Sequence, residues 1–220
     1  QVFVDIVGDI ADLDYFDYQI GTYDPIAEIY AVSGYGLIIE PGRAYWILAK
    51  NGLDLSVKGV PVSLASDIDV KLSYNPLEGN GWNMIACPNR SNYLWADIEM
   101  IAYDNSGNII SGPTAVKDLP EDNPYLDLNL WRWGNNSYSS DTALMEAYKG
   151  YWVRVKAENI YLRFPVNAQT TEKTAETMNK AITSINAIAS PPSPMKAIST
   201  QNADSAGDGS SGCFIFQLFY

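Results

Sequence analysis

The sequence predicts an all-β protein made of two related β-sandwich-like or barrel-like units, followed by one helix and an extended tail. Three observations predict it. Through most of residues 1–166, β-branched and aromatic residues alternate with polar ones, turn chemistry interrupts the runs at short intervals, and one motif occurs twice. With 47% hydrophobic, 12% aromatic and 18% charged residues in 220, the composition is that of a packed protein.

The early runs show the pattern. Tyr45-Trp46-Ile47-Leu48 stops at Asn51-Gly52, Leu53-Asp54-Leu55-Ser56-Val57 stops at Gly59, and Ile98 to Tyr103 stops at Asp104-Asn105-Ser106-Gly107. Asn-Gly supplies the positive φ angles of a tight hairpin turn. Pro61, Pro76, Pro88, Pro113, Pro120, Pro124 and Pro165 fall between runs or at their edges, where a missing N–H does least harm.

The repeat sets the organisation. Pro41-Gly42-Arg43-Ala44-Tyr45-Trp46-Ile47-Leu48-Ala49-Lys50 matches the segment Ala147 to Lys156, with its Lys149-Gly150-Tyr151-Trp152, at an offset of 106 from Tyr45 to Tyr151. Upstream, Glu28-Ile29-Tyr30 aligns with Asn129-Leu130-Trp131. The second copy also holds Gly81-Trp82-Asn83-Met84-Ile85-Ala86-Cys87-Pro88, whose counterpart in the first copy would precede Gln1. The expected units are therefore a first β repeat over 1–66 without its opening strand, a second over 67–166, a helix over 167–190, a linker over 191–212 and a C-terminal strand over 213–220. A repeat lacking a strand leaves an edge of unpaired backbone groups that something must cover.

A Gly-Trp-Asn strand followed by Pro-Gly-x-x-Tyr-Trp or Lys-Gly-Tyr-Trp resembles the tandem β repeats in the C-terminal regions of exported bacterial surface proteins. Gly212-Cys213-Phe214-Ile215 after a Gly/Ser spacer is similar to the tail that closes such proteins, departing from it at Phe216-Gln217-Leu218-Phe219-Tyr220. The resemblance implies an extracellular or cell-surface location and supplies no catalytic residues. Gln1-Val2-Phe3-Val4 carries no signal-peptide features, so a signal has been removed or the chain is an internal fragment.

From Thr170 to Ala189 the period changes to that of a helix. Ala175, Met178, Ile182, Ile185 and Ala189 form one stripe, Thr170 or Thr171 with Glu172 suits its first turn, and Pro191-Pro192 ends it. Residues 190–212 are rich in Pro, Ser, Gly and Asp and read as an extended linker.

Charge and composition bound the function. A net charge of −12 excludes a nucleic-acid partner held by phosphate neutralisation. With no histidine, the His-based hydrolase pairs and His-containing zinc sites are excluded. No stretch is long and apolar enough for a transmembrane helix. The 26 acidic residues include no motif setting two carboxylates across a cleft, and no phosphate-cradling glycine loop occurs, so the expectation is a non-enzymatic protein without a cofactor.

Four features could bind something. Trp46, Trp82 and Trp152 lie in repeated strands and are assigned to the core. Trp131 and Trp133, two apart and so on one strand face, form with Tyr138 the candidate glycan contact of a polysaccharide- or surface-binding module. Among Asp5, Asp9, Asp12, Asp14 and Asp17, the residues Asp12, Asp14 and Asp17 are calcium candidates against the alternative of a solvated strand face. Cys87 and Cys213 are either a disulfide, fitting an exported protein, or two unrelated thiols.

The final octet, Cys213-Phe214-Ile215-Phe216-Gln217-Leu218-Phe219-Tyr220, is uncharged and strongly strand-forming, an aggregation hazard if left exposed. Phe214, Phe216 and Leu218 share one face, and burying them contributes about 5–9 kcal/mol before ordering costs. The leading expectation is a structural subunit joined to a neighbour, or to another surface protein, by donation of this strand into the open edge of the first repeat. Insertion into the chain's own first repeat is the competitor, since a linker of this length spans about 70 Å.

Overall fold

The computed structural model describes residues 18–33, 39–49, 62–63, 65–140, 142–170, 190–193 and 212–216. Its strands in chain order are β1 (Tyr18–Asp24), β2 (Ile29–Ser33), β3 (Tyr45–Ala49), β4 (Ile68–Lys71), β5 (Trp82–Ala86), β6 (Asn92–Leu94), β7 (Glu99–Tyr103) and β8 (Ile109–Ala115). They continue with β9 (Arg132–Gly134), β10 (Ser137–Ser139), β11 (Leu144–Met145), β12 (Gly150–Arg154), β13 (Ile160–Phe164), β14 (Gln169–Thr170) and β15 (Gly212–Phe216). Among the described residues the only helical pieces are three short 3-10 turns, and the fold is all-β. Every strand pair is antiparallel, in small open sheets ordered β15-β3-β1-β2, β4-β13-β7-β8, β11-β6-β14, β12-β5 and β10-β9.

The helix expected over 167–190 does not open where it was placed: Val166–Ala168 is a short 3-10 turn, and Gln169–Thr170 is β14, paired with Tyr93 and Asn92 of β6. The remainder of the expected helix, residues 171–189, lies outside the described residues.

Strands β5 and β12 are buried on both faces, and the period-two alternation divides their side chains between two cores. Ile85, Cys87, Tyr151, Val153 and Val155 join Val70, Met100, Ile160, Leu162 and Phe164 from the β4-β13-β7-β8 sheet in a mainly aliphatic core. Trp82, Met84, Ala86 and Trp152 face the opposite way, into an aromatic core with Tyr23, Ala44 and Trp46. The three tryptophans assigned to the core from the sequence are buried there, at 0%, 8% and 0% exposure for Trp46, Trp82 and Trp152.

The Gly-Trp-Asn motif has a physical reason at each position. A Cβ on Gly81 would sit 1.9 Å from the Val155 carbonyl oxygen, so the strand start admits no side chain. Trp82 packs edge-on to Trp152 at 6.4 Å in the aromatic core. Asn83, 4% exposed, accepts from the Ser73 N–H and donates to the Ser73 and Gly81 carbonyls, tying the end of β4 to β5. A buried amide is tolerated because its hydrogen-bonding groups find partners. Pro113 lies not between strands but inside β8, which among the described residues is an edge strand paired only with β7, where a missing N–H is tolerated.

Candidate functional site

The site begins at the two Tyr-Trp strands. Before β3, the Arg43 N–H donates to the Glu40 carbonyl and the Glu40 N–H donates to the Tyr45 hydroxyl at 3.0 Å. Before β12, the Lys149 N–H donates to the Glu146 carbonyl and the Glu146 N–H donates to the Tyr151 hydroxyl at 2.7 Å. An ion pair closes each turn, Arg43 with Glu40 and Lys149 with Glu146. The residue between is left-handed in both, Gly42 at φ 80° and Tyr148 at φ 67°. Glycine is needed at the first of these for space as well as for φ, because a Cβ there would approach the Val70 side chain to 2.3 Å.

The strands beside them match too. On β12, Tyr151 pairs with Ile85, Trp152 with Met84, Val153 with Asn83 and Arg154 with Trp82 of β5. On β3, Tyr45 pairs with Phe216, Trp46 with Ile215, Ile47 with Phe214, Leu48 with Cys213 and Ala49 with Gly212 of β15. Superposing the two Tyr-Trp strands by sequence therefore lays Gly212-Cys213-Phe214-Ile215-Phe216 on Gly81-Trp82-Asn83-Met84-Ile85. A glycine heads each neighbour, Gly81 immediately before β5 and Gly212 as the first residue of β15, and the two run in the same antiparallel register. Strand β15 belongs to the same chain as the β3 it covers, so the octet's first residues, Cys213, Phe214, Ile215 and Phe216, are inserted in cis; Gln217, Leu218, Phe219 and Tyr220 lie outside the described residues.

The upstream alignment of the two copies does not follow the strand pairing. Trp131 forms its bridge with Trp152, but the residue paired with Trp46 on that side is Gly21, not Tyr30. Identity of residue type placed Tyr30 opposite Trp131, whereas the ladder is set by backbone pairing and places it on β2, one strand further out.

The candidate glycan contacts form a roof over the aromatic core. Trp131, Trp133 and Tyr138 are half-buried against it. Trp131 meets Trp82 at an interplanar angle of 79°, Trp133 meets Trp46 at 72°, and Tyr138 meets Trp133 at 68° with centroids 4.8 Å apart. These edge-to-face contacts suit mutual packing. They do not give the coplanar exposed rings that a sugar platform requires. Two features were not found from sequence reasoning: Tyr30 joins the same roof, and residues 190–193 lie against it. The Tyr138 hydroxyl donates to the Pro192 carbonyl and the Tyr30 hydroxyl to the Ser193 carbonyl, both at 2.7 Å. The signal available was Pro191-Pro192, which reads equally as a helix stop.

Cys87 is a free, fully buried thiol that donates to the Met145 carbonyl at 3.4 Å, so it is not bonded to Cys213. Burial raises its pKa, and burial likewise raises those of the Tyr45, Tyr93 and Tyr151 phenols, against the smaller opposing effect of their hydrogen bonds. A thiol held protonated is a poor nucleophile. Asp12, Asp14 and Asp17 lie outside the described residues, and among the described residues no group of three or more His, Cys, Asp or Glu is placed to hold a metal ion. No helix among the described residues is long and apolar enough to cross a membrane.

No protein-family model matches the chain, and neither a curated protein nor a solved structure shows significant similarity to it.

Proposed function

We propose that this chain is a non-enzymatic structural module of an exported surface assembly, built from two related β repeats and joined to its neighbours by donation of its C-terminal strand. One observation carries the reading: β15 lies on β3 in the register that β5 holds on β12, glycine over glycine. The C-terminal segment thus does for the first Tyr-Trp strand what the Gly-Trp-Asn strand does for the second. The shared turn geometry ahead of β3 and β12 supports the relatedness of the two units.

Donation between subunits needs no contact beyond those in the folded chain. If β15 of one copy takes the β3 edge of the next, each backbone pairing is kept and only the owner of the strand changes, the low-cost logic of domain swapping. The segment joining Ser193 to Gly212 is long enough to serve either arrangement. The contact is head-to-tail, and when such a contact does not close a ring it grows a filament.

The experiment is deletion of residues 213–220, with mass and electron-microscopic morphology followed over a wide concentration range. The intact chain is expected to assemble, the truncated chain to stay monomeric, and a synthetic octet to cap the truncated chain one to one. Assembly by the truncated chain, or a strictly monomeric intact chain at high concentration, overturns donation between subunits; in the second case β15 is a lid on its own module.

A further inference from the structure

The roof of half-buried rings already holds a peptide. Tyr30 on β2 and Tyr138 on β10 come from strands over a hundred residues apart, yet both hydroxyls donate to consecutive carbonyls, those of Ser193 and Pro192, at 2.7 Å. Pro191 is buried and Pro192 half-buried, so the segment is seated and not merely adjacent.

Sequence chemistry prepares this segment for docking. In Ser190-Pro191-Pro192-Ser193-Pro194, the two central prolines fix their own φ, and Ser190, Pro191 and Ser193 each precede a proline, which biases them to extended backbone. A polyproline-type segment makes no internal backbone hydrogen bonds, so its carbonyls are available, and its stiffness lowers the entropy lost on binding. Grooves that recognise such segments are walled by aromatic rings and offer a few side-chain donors. Here Tyr30 stands edge-on to Tyr23 at 5.4 Å and to Trp152 at 6.4 Å, Tyr138 stands edge-on to Trp133, and the two phenols are the donors.

We propose that the aromatic roof bearing Tyr30 and Tyr138 is a recognition site for a two-proline segment, occupied in this chain by its own Ser190-Pro191-Pro192-Ser193. Its role is that of a clamp. Holding Ser193 shortens the tether to Gly212 and so raises the effective concentration of β15 at β3. Recognition of the prolines does not rest on strand donation, because the site is used whether β15 is inserted in cis or in trans.

The test uses the full chain carrying Pro191→Ser and Pro192→Ser, which empties the site, and a synthetic peptide of residues 189–195. Binding is read from tryptophan emission, to which Trp133 beside Tyr138 contributes. Saturable binding is expected, weaker by about tenfold or more when Tyr30→Phe and Tyr138→Phe are added, the effect of removing two hydrogen bonds. The intact chain, its site filled, should bind the peptide less tightly than the emptied one. No saturable binding, equal binding of a peptide with serines for both prolines, or an affinity indifferent to the two hydroxyls overturns the proposal. If the emptied chain does not unfold cooperatively, Tyr30→Phe with Tyr138→Phe in the otherwise intact chain decides instead. Ser190 and Ser193 should then show backbone ¹⁵N relaxation closer to that of free chain ends, and unchanged relaxation there overturns the clamp.

Discussion

Strand β12 receives its neighbour β5 from the same stretch of chain, within residues 82–154, whereas β3 receives β15 from the far C-terminus, across residues 50–211. The two Tyr-Trp strands share their turn, their ion pair and their pairing register. They differ in what secures the partner. Strand β5 is buried on both faces, supplies side chains to two cores, and has Arg43 paired to Ile85 on the side away from Tyr151. Among the described residues strand β15 is the terminal strand of its sheet, with β3 as its only ladder. A partner held from several sides is fixed by the fold as a whole, while one held by a single ladder and a long connection can leave without dismantling the rest. Under the strand donation proposed above, β3/β15 is the half that exchanges and β5/β12 the half that stays.

The comparison breaks most visibly if the aromatic core is not shared by both halves. Trp46 on β3 and Trp152 on β12 are each fully buried, the first against Trp133 and the second against Tyr23, Tyr30 and Trp82. Trp46→Ala and Trp152→Ala should each cost about 3–5 kcal/mol in urea denaturation, the range for truncating a buried large aromatic. A loss below about 1 kcal/mol for Trp46→Ala alone would show that β3 is an appendage and not part of the common core.

Gly81→Ala probes β5, the partner of β12, next. The new methyl would meet the Val155 carbonyl, a backbone group that also accepts no rotamer escape, so β5 and β12 must separate locally. A loss of about 1–3 kcal/mol is expected from such overpacking. Retained stability with unchanged strand spacing would remove the steric reason given for the first residue of the Gly-Trp-Asn motif.

How much of this was legible in the sequence follows from which residues act locally. The Tyr-Trp repeat, the burial of Trp46, Trp82 and Trp152, and the turn at Asp104, whose carboxylate accepts from the Ser106 and Asn108 N–H groups, are set by alternation and turn chemistry within a few residues. The C-terminal strand was legible as a strand without a sheet. Its register was not, because pairing across residues 50–211 is decided by the complementary edge and not by nearby chain. The upstream match of Tyr30 to Trp131 failed for the same reason: similar aromatic residues recur in a protein rich in them, and only the ladder distinguishes neighbours. The clamp on Pro191-Pro192 was hidden because its two donors, Tyr30 and Tyr138, meet only in the folded chain.

Alkaline titration separates the halves by their buried acids. Cys87, Tyr93 and Tyr151 lie on or beside β5 and β12, while β3 contributes Tyr45. Each has its folded pKa raised above its ordinary value, 9.0 for the thiol and 10.0 for the phenols. The unfolded chain therefore loses these protons first, so the stabilisation is complete below the ordinary values and is lost as pH rises through them. Each fully buried group adds a slope of about 1.4 kcal/mol per pH unit beyond its ordinary value. Unfolding free energy should fall from about pH 9 upward, and in Cys87→Ala the fall should begin nearer pH 10. Identical onsets in the two proteins would show that the Cys87 thiol reaches water in the folded state.

The smallest expected effect gives the sharpest comparison, because it removes one atom from each copy of the shared turn. Tyr45→Phe deletes the acceptor of the Glu40 N–H, a partly buried contact at 3.0 Å. Tyr151→Phe deletes an acceptor for the Glu146 N–H at 2.7 Å together with a donor to the Leu144 carbonyl at 3.3 Å. Net hydrogen bonds of this kind contribute about 0.5–1.5 kcal/mol each. Each variant is expected to lose about 1 kcal/mol, measured as a shift in urea midpoint at constant slope. The rings stay in place in both variants, so core packing does not enter the difference. A loss at one tyrosine with none at the other would show that two turns alike in geometry do not anchor their strands alike, and would remove the shared tyrosine contact as a reason for likening β3 to β12.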